Sequence, residues 1–117
     1  MKPEGWRPWG YWESLTEEEK YKVKKLVVLP GQRISLQYHL HREEHWVFVS
    51  GLGRVVRGEE SLTVMPGFQV YIPKLMYHRV ENPNLEPLVF IEVQQGECIE
   101  ESDVVRVEDD YGRGRHQ

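Results

Sequence analysis

The sequence predicts one all-β domain of the sandwich, jelly-roll or small-barrel class. Short runs of β-branched and aromatic residues recur along the chain, and turn-forming pairs such as Pro30-Gly31, Pro66-Gly67 and Asn82-Pro83 separate them. Strands are predicted at 21–29, 33–40, 45–50, 53–58, 61–65, 68–73, 78–82 and 87–95. So many short strands within 117 residues are typical of two packed antiparallel sheets or a closed barrel.

The first part of the chain is predicted to be an arm rather than part of the barrel. Within it, "SLTEEEKYK" (14–22) is predicted as a short helix, with Ser14 or Thr16 as the N-cap before the glutamates. The arm is expected to pack on the barrel or to cross to a partner chain through its tryptophans, Trp6, Trp9 and Trp12. The predicted division is an arm at 1–20, a barrel at 21–113 and a flexible tail at 114–117.

Composition excludes several classes of protein. The net charge of −4 offers no basic field for nucleic acid, and no apolar run approaches the roughly 20 residues of a membrane span. The first residues lack a signal-peptide pattern, and a single cysteine, Cys98, allows no internal disulfide. We therefore expect a soluble cytoplasmic protein with a structural thiol and neither membrane nor nucleic-acid partners.

The segment 33–41 has an unusual distribution of polar residues. If it is a regular strand, one face carries the polar set Arg33, Ser35, Gln37, His39 and His41, and the other carries the apolar set Ile34, Leu36, Tyr38 and Leu40. Polar residues that point into the barrel would leave the apolar row outside. Such a row is a sizeable exposed patch, and we predict a homodimer that buries it.

The histidines are spaced as metal ligands. His39 and His41 project to one side of a strand about 7 Å apart, close enough for two imidazoles to converge on one cation. A third ligand can come from Glu44 or His45 after a turn, and a fourth from the distant His78. Imidazole with carboxylate suits zinc, iron, manganese, nickel or cobalt rather than calcium.

Two stretches carry a family resemblance. "PGQRISLQYHLHREEHWVFVSG" resembles the first cupin motif and "GFQVYIPKLMYHRVEN" the second, with Gly67, Pro73, His78 and Asn82 at the spacing of that motif. More narrowly, segments between Arg7 and Arg113 resemble the type II phosphomannose isomerase domain. That domain often forms the C-terminal part of bifunctional mannose-1-phosphate guanylyltransferase/mannose-6-phosphate isomerase enzymes. Because 117 residues leave no room for a nucleotide-binding domain, the expectation is a stand-alone isomerase-type cupin, a double-stranded β-helix.

The resemblance implies four metal ligands, His39, His41, Glu44 and His78, and a divalent cation, with zinc ahead of manganese, cobalt, nickel or iron. Only two residues separate Glu44 from His41, where cupins usually have three or four, and His45 satisfies that spacing instead. Six residues separate Glu44 from Gly51, as the family asks. In that register Glu44 shares a face with Trp46 and Phe48, so it is the favoured ligand.

The resemblance also implies an aldose–ketose isomerase acting on mannose 6-phosphate and fructose 6-phosphate through an enediolate. The general base is expected to be Glu92, or whichever of Glu44 and His45 does not bind the metal. The phosphate is expected to meet Arg7, Lys22 or Arg33, and Gln37 to bind the sugar or support a ligand. Two alternatives are a non-catalytic cupin that binds a sugar or sugar nucleotide, and a metal-dependent cupin oxygenase.

Overall fold

The structure is a computed structural model that describes residues 4–97 and 99–110. Cys98 and the predicted tail at 114–117 lie outside these ranges. The described residues form eleven strands and no helix, so they include no helix long and apolar enough to cross a membrane.

The strands pair antiparallel throughout and form two sheets. In chain order they are β1 Glu4–Arg7, β2 Gly10–Glu17, β3 Tyr21–Val28, β4 Leu36–Tyr38, β5 Arg42–Ser50, β6 Gly53–Arg57, β7 Glu60–Val64, β8 Gln69–Ile72, β9 His78–Glu81, β10 Leu88–Gly96 and β11 Val105–Glu108. The first sheet has the order β1-β2-β3-β10-β5-β8, and the second has the order β11-β4-β9-β6-β7. The predicted all-β, two-sheet class is confirmed.

The inner face of the first sheet is divided into an apolar half and a polar half. Along β3, β10 and β5, paired residues form rows that cross the sheet. The two apolar rows are Leu26–Phe90–Phe48 and Val28–Leu88, and they pack against Val55, Val64 and Val80 of the second sheet. The next rows on the same face are Lys24–Glu92–Trp46 and Lys22–Gln94–Glu44, all of them buried. The core therefore fills one half of the space between the sheets, and charged groups occupy the other half.

The helix predicted at 14–22 is wrong. Residues up to Glu17 belong to β2, which pairs with β3, and the turn between the two strands is closed by Glu18 N donating to Tyr21 O at 2.9 Å. A nine-residue segment is too short to hold a helix alone, and pairing with β3 satisfies its backbone groups instead.

Two of the three N-terminal tryptophans pack against the barrel. Trp9 is part of the core cluster, Trp12 packs on that cluster, and Trp6 is exposed. Since β2 is a strand of the first sheet, this part of the predicted arm belongs to the sandwich itself. Crossing of the arm to a partner chain stays a prediction.

The strand predicted at 33–40 is regular only over β4. Ile34 and Ser35 are consecutive and both buried, so the strict alternation of faces fails there. The prediction that Ile34 faces outward with the apolar row is wrong, because its side chain belongs to the core. Ile34 is therefore not part of the exposed apolar patch that the predicted homodimer would bury, and the homodimer stays a prediction.

Asn82, just after β9, ties three chain segments together. Its buried side-chain amide donates to Val28 O at 2.9 Å and Glu86 O at 2.8 Å, and its Oδ1 accepts from Asn84 N at 3.0 Å. The asparagine of the second motif therefore has a structural role in this chain.

We predict that Asn82→Ala lowers the free energy of unfolding by about 2–4 kcal/mol, because it leaves the buried carbonyl of Val28 and the partly buried carbonyl of Glu86 without donors. Asn84→Ala, which removes one exposed hydrogen bond to Leu52 O, is the matched control and should cost less than about 1 kcal/mol. Urea denaturation of both variants measures this, and equal losses would contradict the assigned role.

Candidate metal centre

Three buried side chains from both sheets converge at the polar half. His39 follows β4, His78 begins β9 and Glu44 lies in β5. Each offers a ligand atom, and these atoms all lie within 4.8 Å of one another. The three side chains are at most 4% exposed. The cluster therefore joins the two sheets inside the protein.

Backbone carbonyls fix both imidazoles. Nδ1 of His39 contacts the carbonyl oxygen of Asp103, and Nδ1 of His78 lies 2.9 Å from the carbonyl oxygen of Met76. A carbonyl can only accept, so each Nδ1 carries the proton and donates it. The Nε2 atoms are then the ones that can bind a metal ion, which is the usual arrangement of metal-binding histidines.

The segment that carries His39 is held on both sides. The Asp103 carboxylate accepts from Leu40 N at 3.0 Å and from His41 N at 2.9 Å. The amide of Leu75 donates to His39 O at 2.8 Å. Leu75 adopts a left-handed conformation with φ of 70°. The backbone around His39 is thus irregular, but hydrogen bonds with Asp103 and Leu75 hold it in place.

Glu44 is the charged member of the cluster. Its Oε2 lies 3.2 Å from His39 Nε2 and accepts from Arg42 Nε at 2.9 Å, while Oε1 accepts from Trp46 Nε1 at 2.9 Å. Burial works against ionisation, but the hydrogen bond to His39 and the charges of His39 and Arg42 hold the pKa of Glu44 well below its usual range.

The three residues fit a divalent cation. Burial lowers the pKa of His78 to about 4, so this imidazole is neutral at neutral pH, as a ligand must be. His39 Nε2 and Glu44 Oε2 point their lone pairs at each other, an arrangement that needs a proton or a cation between them. Two imidazoles and a carboxylate suit zinc and its neighbours, and three protein ligands leave a coordination position open.

The structure does not bring His41 or His45 to the cluster. His41 is exposed beyond the bend at 40–41, because the chain is no longer a regular strand and the parity that links it to His39 is lost. His45 lies on the outer face of β5, opposite Glu44, and its ring is 4.8 Å from that of Tyr71. Of the two candidates for the third ligand, Glu44 is the one that faces inward.

Gln37 lines the cavity beside the cluster, and its backbone pairs with that of His78. The sequence contained a signal for this placement. Four residues separate His39 from Glu44, which is the family spacing that His41 fails to meet. Counted in this way, Gln37 stands where the first motif has its first histidine, and the register of the motif is shifted by two residues.

Glu92 faces the same cavity from β10. Burial, followed by the charge of Glu44 and a hydrogen bond with it, raises the pKa of Glu92 to about 8. Gln94 Nε2 donates to Glu92 Oε1 at 2.7 Å. Among the buried side-chain atoms of residues 4–97 and 99–110, Gln94 Oε1 is the one without a hydrogen-bond partner.

The predicted phosphate ligands are placed differently from one another. Arg7 lines the cavity, whereas Lys22 is buried on the inner face of β3 but is not one of the lining residues. Arg33 lies outside the cavity, where it pairs with Asp110 through two hydrogen bonds of 2.7 and 2.9 Å. The irregular backbone after Arg33 separates it from the face of His39.

Sequence reasoning missed several cavity residues: Lys24, Arg42, Gln94, Glu101 and Arg106. Lys24 could have been found, since it alternates with the apolar Leu26 and Val28 on one face of a strand. Glu101 could not, because its contacts with β3 span 77 residues or more.

Comparison with known proteins shows the family of this chain. Residues 1–109 match the family described as "Mannose-6-phosphate isomerase C-terminal". The xanthan biosynthesis protein XanB of Xanthomonas campestris pv. campestris is 47% identical over 108 residues, which are 92% of this chain and 23% of XanB. The mannose-1-phosphate guanylyltransferase ManC of Salmonella typhimurium is 46% identical over 113 residues, 97% of this chain and 24% of ManC. The chain thus spans about a quarter of the length of these relatives.

Solved structures show the same fold. A cupin-2 domain protein from Rhodospirillum rubrum superposes with a TM-score of 0.72 at 22% identity, covering 81% of this chain and 68% of that protein. The fold is therefore that of the cupins, the double-stranded β-helix. With both motifs on this fold and the family match over nearly its whole length, the chain belongs to the family of mannose-6-phosphate isomerase C-terminal domains.

Proposed function

We propose that this chain is a metal-dependent aldose–ketose isomerase that interconverts mannose 6-phosphate and fructose 6-phosphate. The observation that carries the proposal is the buried His39–Glu44–His78 cluster, which shares one cavity with Glu92. The family match supports the substrate class. Zinc is the favoured ion, with manganese, cobalt, nickel and iron as alternatives that suit the same ligands.

The reaction moves one proton between C2 and C1 of the open-chain sugar. A divalent cation held by His39, Glu44 and His78 supplies electrophilic stabilisation for the oxygen on which negative charge develops. The chain must add a group that takes the proton from one carbon and returns it to the other through the enediolate.

Glu92 is the proposed acid–base residue. It is buried in the same cavity as the cluster, and a carboxyl group there can take a proton from one carbon of a bound sugar and return it to the other. His45, the other candidate outside the ligand set, points away from the cavity. Glu44 is engaged by Arg42 and Trp46 and serves as a ligand in this proposal.

The sugar hydroxyl groups have polar partners in the cavity. Gln94 Oε1 is a buried acceptor that a sugar hydroxyl can satisfy. Gln37 lies next to His78 and can hydrogen-bond the sugar or complete the coordination of the ion. Four cationic side chains line the cavity and favour an anionic substrate: Arg7, Lys24, Arg42 and Arg106.

We predict that metal binding depends on His39 and not on His41. His39→Ala removes a ligand and should weaken zinc binding at least about 100-fold, whereas His41→Ala should stay within about threefold of wild type. Titration of the metal-stripped protein with zinc, followed by calorimetry, gives both affinities. Equal losses would show that His41 coordinates the ion.

With metal restored, we predict turnover of mannose 6-phosphate to fructose 6-phosphate. Glu92→Gln should lower kcat by about 10²–10⁴-fold with little change in KM, because the amide keeps the hydrogen bonds but cannot exchange the proton. A coupled assay for fructose 6-phosphate measures this. Absence of turnover with every metal would favour the non-catalytic binding protein, and metal-dependent oxygen consumption would favour the oxygenase.

We predict that Glu92 makes the metal-free protein less stable as pH rises. The carboxyl titrates near 4.5 in the unfolded chain and about 8 in the folded one, so unfolding releases its proton between these values. Stability then falls with increasing pH by at most about 1.4 kcal/mol per pH unit. The free energy of unfolding of Glu92→Gln, relative to that of wild type, should increase from pH 5.5 to 8. Urea titrations that run parallel across this range would contradict it.

A further inference from the structure

Two buried lysines share one carboxylate near the start of β3, on the inner face of that strand. Lys22 and Lys24 are 5% and 4% exposed and lie on the same face of the strand. A single oxygen, Oε2 of Glu101, lies 3.3 Å from Lys22 Nζ and in hydrogen-bond contact with Lys24 Nζ. The Trp12 ring lies beneath both ammonium groups, with its centroid 3.9 Å from Lys24 Nζ and 5.2 Å from Lys22 Nζ.

The two buried ammonium groups share one close carboxylate, that of Glu101. Besides Glu101, the two ammonium groups have one other ion-pair partner among the described residues, Glu17, which is 3.7 Å from Lys22 and largely exposed. Buried cations need close anionic partners, because desolvation is costly. One carboxylate oxygen between two ammonium groups is a weaker match than an anion with several oxygens.

Glu101 sits on a turn whose neighbours are fixed while its own side chain reaches solvent. On one side, Arg42 Nη1 donates to Glu100 O at 3.1 Å, and on the other, Asp103 holds His39 and Leu40. The Glu101 side chain itself is 45% exposed. It can therefore rotate away from the lysines without moving the turn or the imidazole of the metal centre.

The lysine site is continuous with the proposed active site. Lys24, Trp12 and Glu101 line the same cavity as His39 and Glu44. Arg42 also lies between them, since it donates both to Glu44 and to the turn that carries Glu101. One molecule in this cavity can therefore place an anionic group at the lysines and extend toward the metal centre.

We propose that Lys22, Lys24 and Trp12 form the subsite for the phosphate group of the substrate, and that Glu101 is a resident anion which this phosphate displaces. The proposal rests on the isomerase function proposed above, because it assigns one end of the same substrate. A phosphate monoester carries more charge and more oxygens than a carboxylate, and so can satisfy both ammonium groups. A sugar without phosphate cannot displace Glu101, which makes Glu101 a specificity-determining residue.

The test is the affinity for inorganic phosphate of the full chain at fixed ionic strength, measured by calorimetry. Glu101→Gln keeps the shape of the side chain and removes its charge, so phosphate should bind at least about tenfold more tightly than to wild type. Glu100→Gln is the matched control. It removes the same charge from the neighbouring residue, whose side chain is exposed, and the phosphate affinity should stay within about twofold of wild type. In Glu101→Gln/Lys24→Gln the gain should be lost.

Phosphate affinity in Glu101→Gln within twofold of wild type would overturn the proposal, and so would an equal gain in Glu100→Gln, which would show a general charge effect. Thermal unfolding provides a second readout: phosphate should raise the Tm of Glu101→Gln more than that of wild type, and an equal rise would also overturn it. Neither readout needs turnover. A gain in phosphate affinity without isomerase activity would support the phosphate subsite and contradict the isomerase proposal. Isomerase activity without the gain would support the isomerase proposal and contradict the phosphate subsite.

Discussion

The buried carboxylate of Glu44 is the constraint on which the polar half of the molecule depends. An ionised carboxylate inside a protein is tolerated only with close donors and opposite charge. Arg42, Trp46 and His39 provide these, and Arg42 and His39 are themselves held by backbone carbonyls. His39 in turn needs the carbonyl of Asp103, and Asp103 fixes the bend after His39. One charge thus explains why a loop near the end of the chain is attached to the middle of it.

The same requirement separates core from site. On β3, β10 and β5 the inward residues change from apolar to polar at one level of the sheet, so that phenylalanines and valines pack in one half and paired charges fill the other. The raised pKa of Glu92 follows from this arrangement, because burial and the adjacent Glu44 both disfavour a second negative charge. A buried carboxyl group with a raised pKa in the metal-free protein is therefore a consequence of where the polar rows lie.

Much of this could be predicted from the sequence, and the failures have identifiable physical causes. Alternation of apolar and polar residues located the strands from β3 to β10, and the motif's spacing between Glu44 and Gly51 favoured Glu44 on the inward face. It failed between Arg33 and His41, where two consecutive residues are buried and a bend follows, so Arg33 and His41 were placed on the wrong side. The glutamates of β2 suggested a helix because local propensity cannot register pairing with β3. The contacts of Glu101 join segments at opposite ends of the chain, and no local pattern encodes them.

The division of the inner face also bears on how the chain finds its strand register. A slip of two residues between β10 and its neighbours would keep every side chain on its correct face, and alternation alone would not penalise it. In this sheet, however, such a slip would move Glu92 opposite Leu26 and Phe48, or Phe90 opposite Lys24, and leave charges buried without partners. The polar residues proposed for the active site thus also disfavour a shifted register of the three central strands.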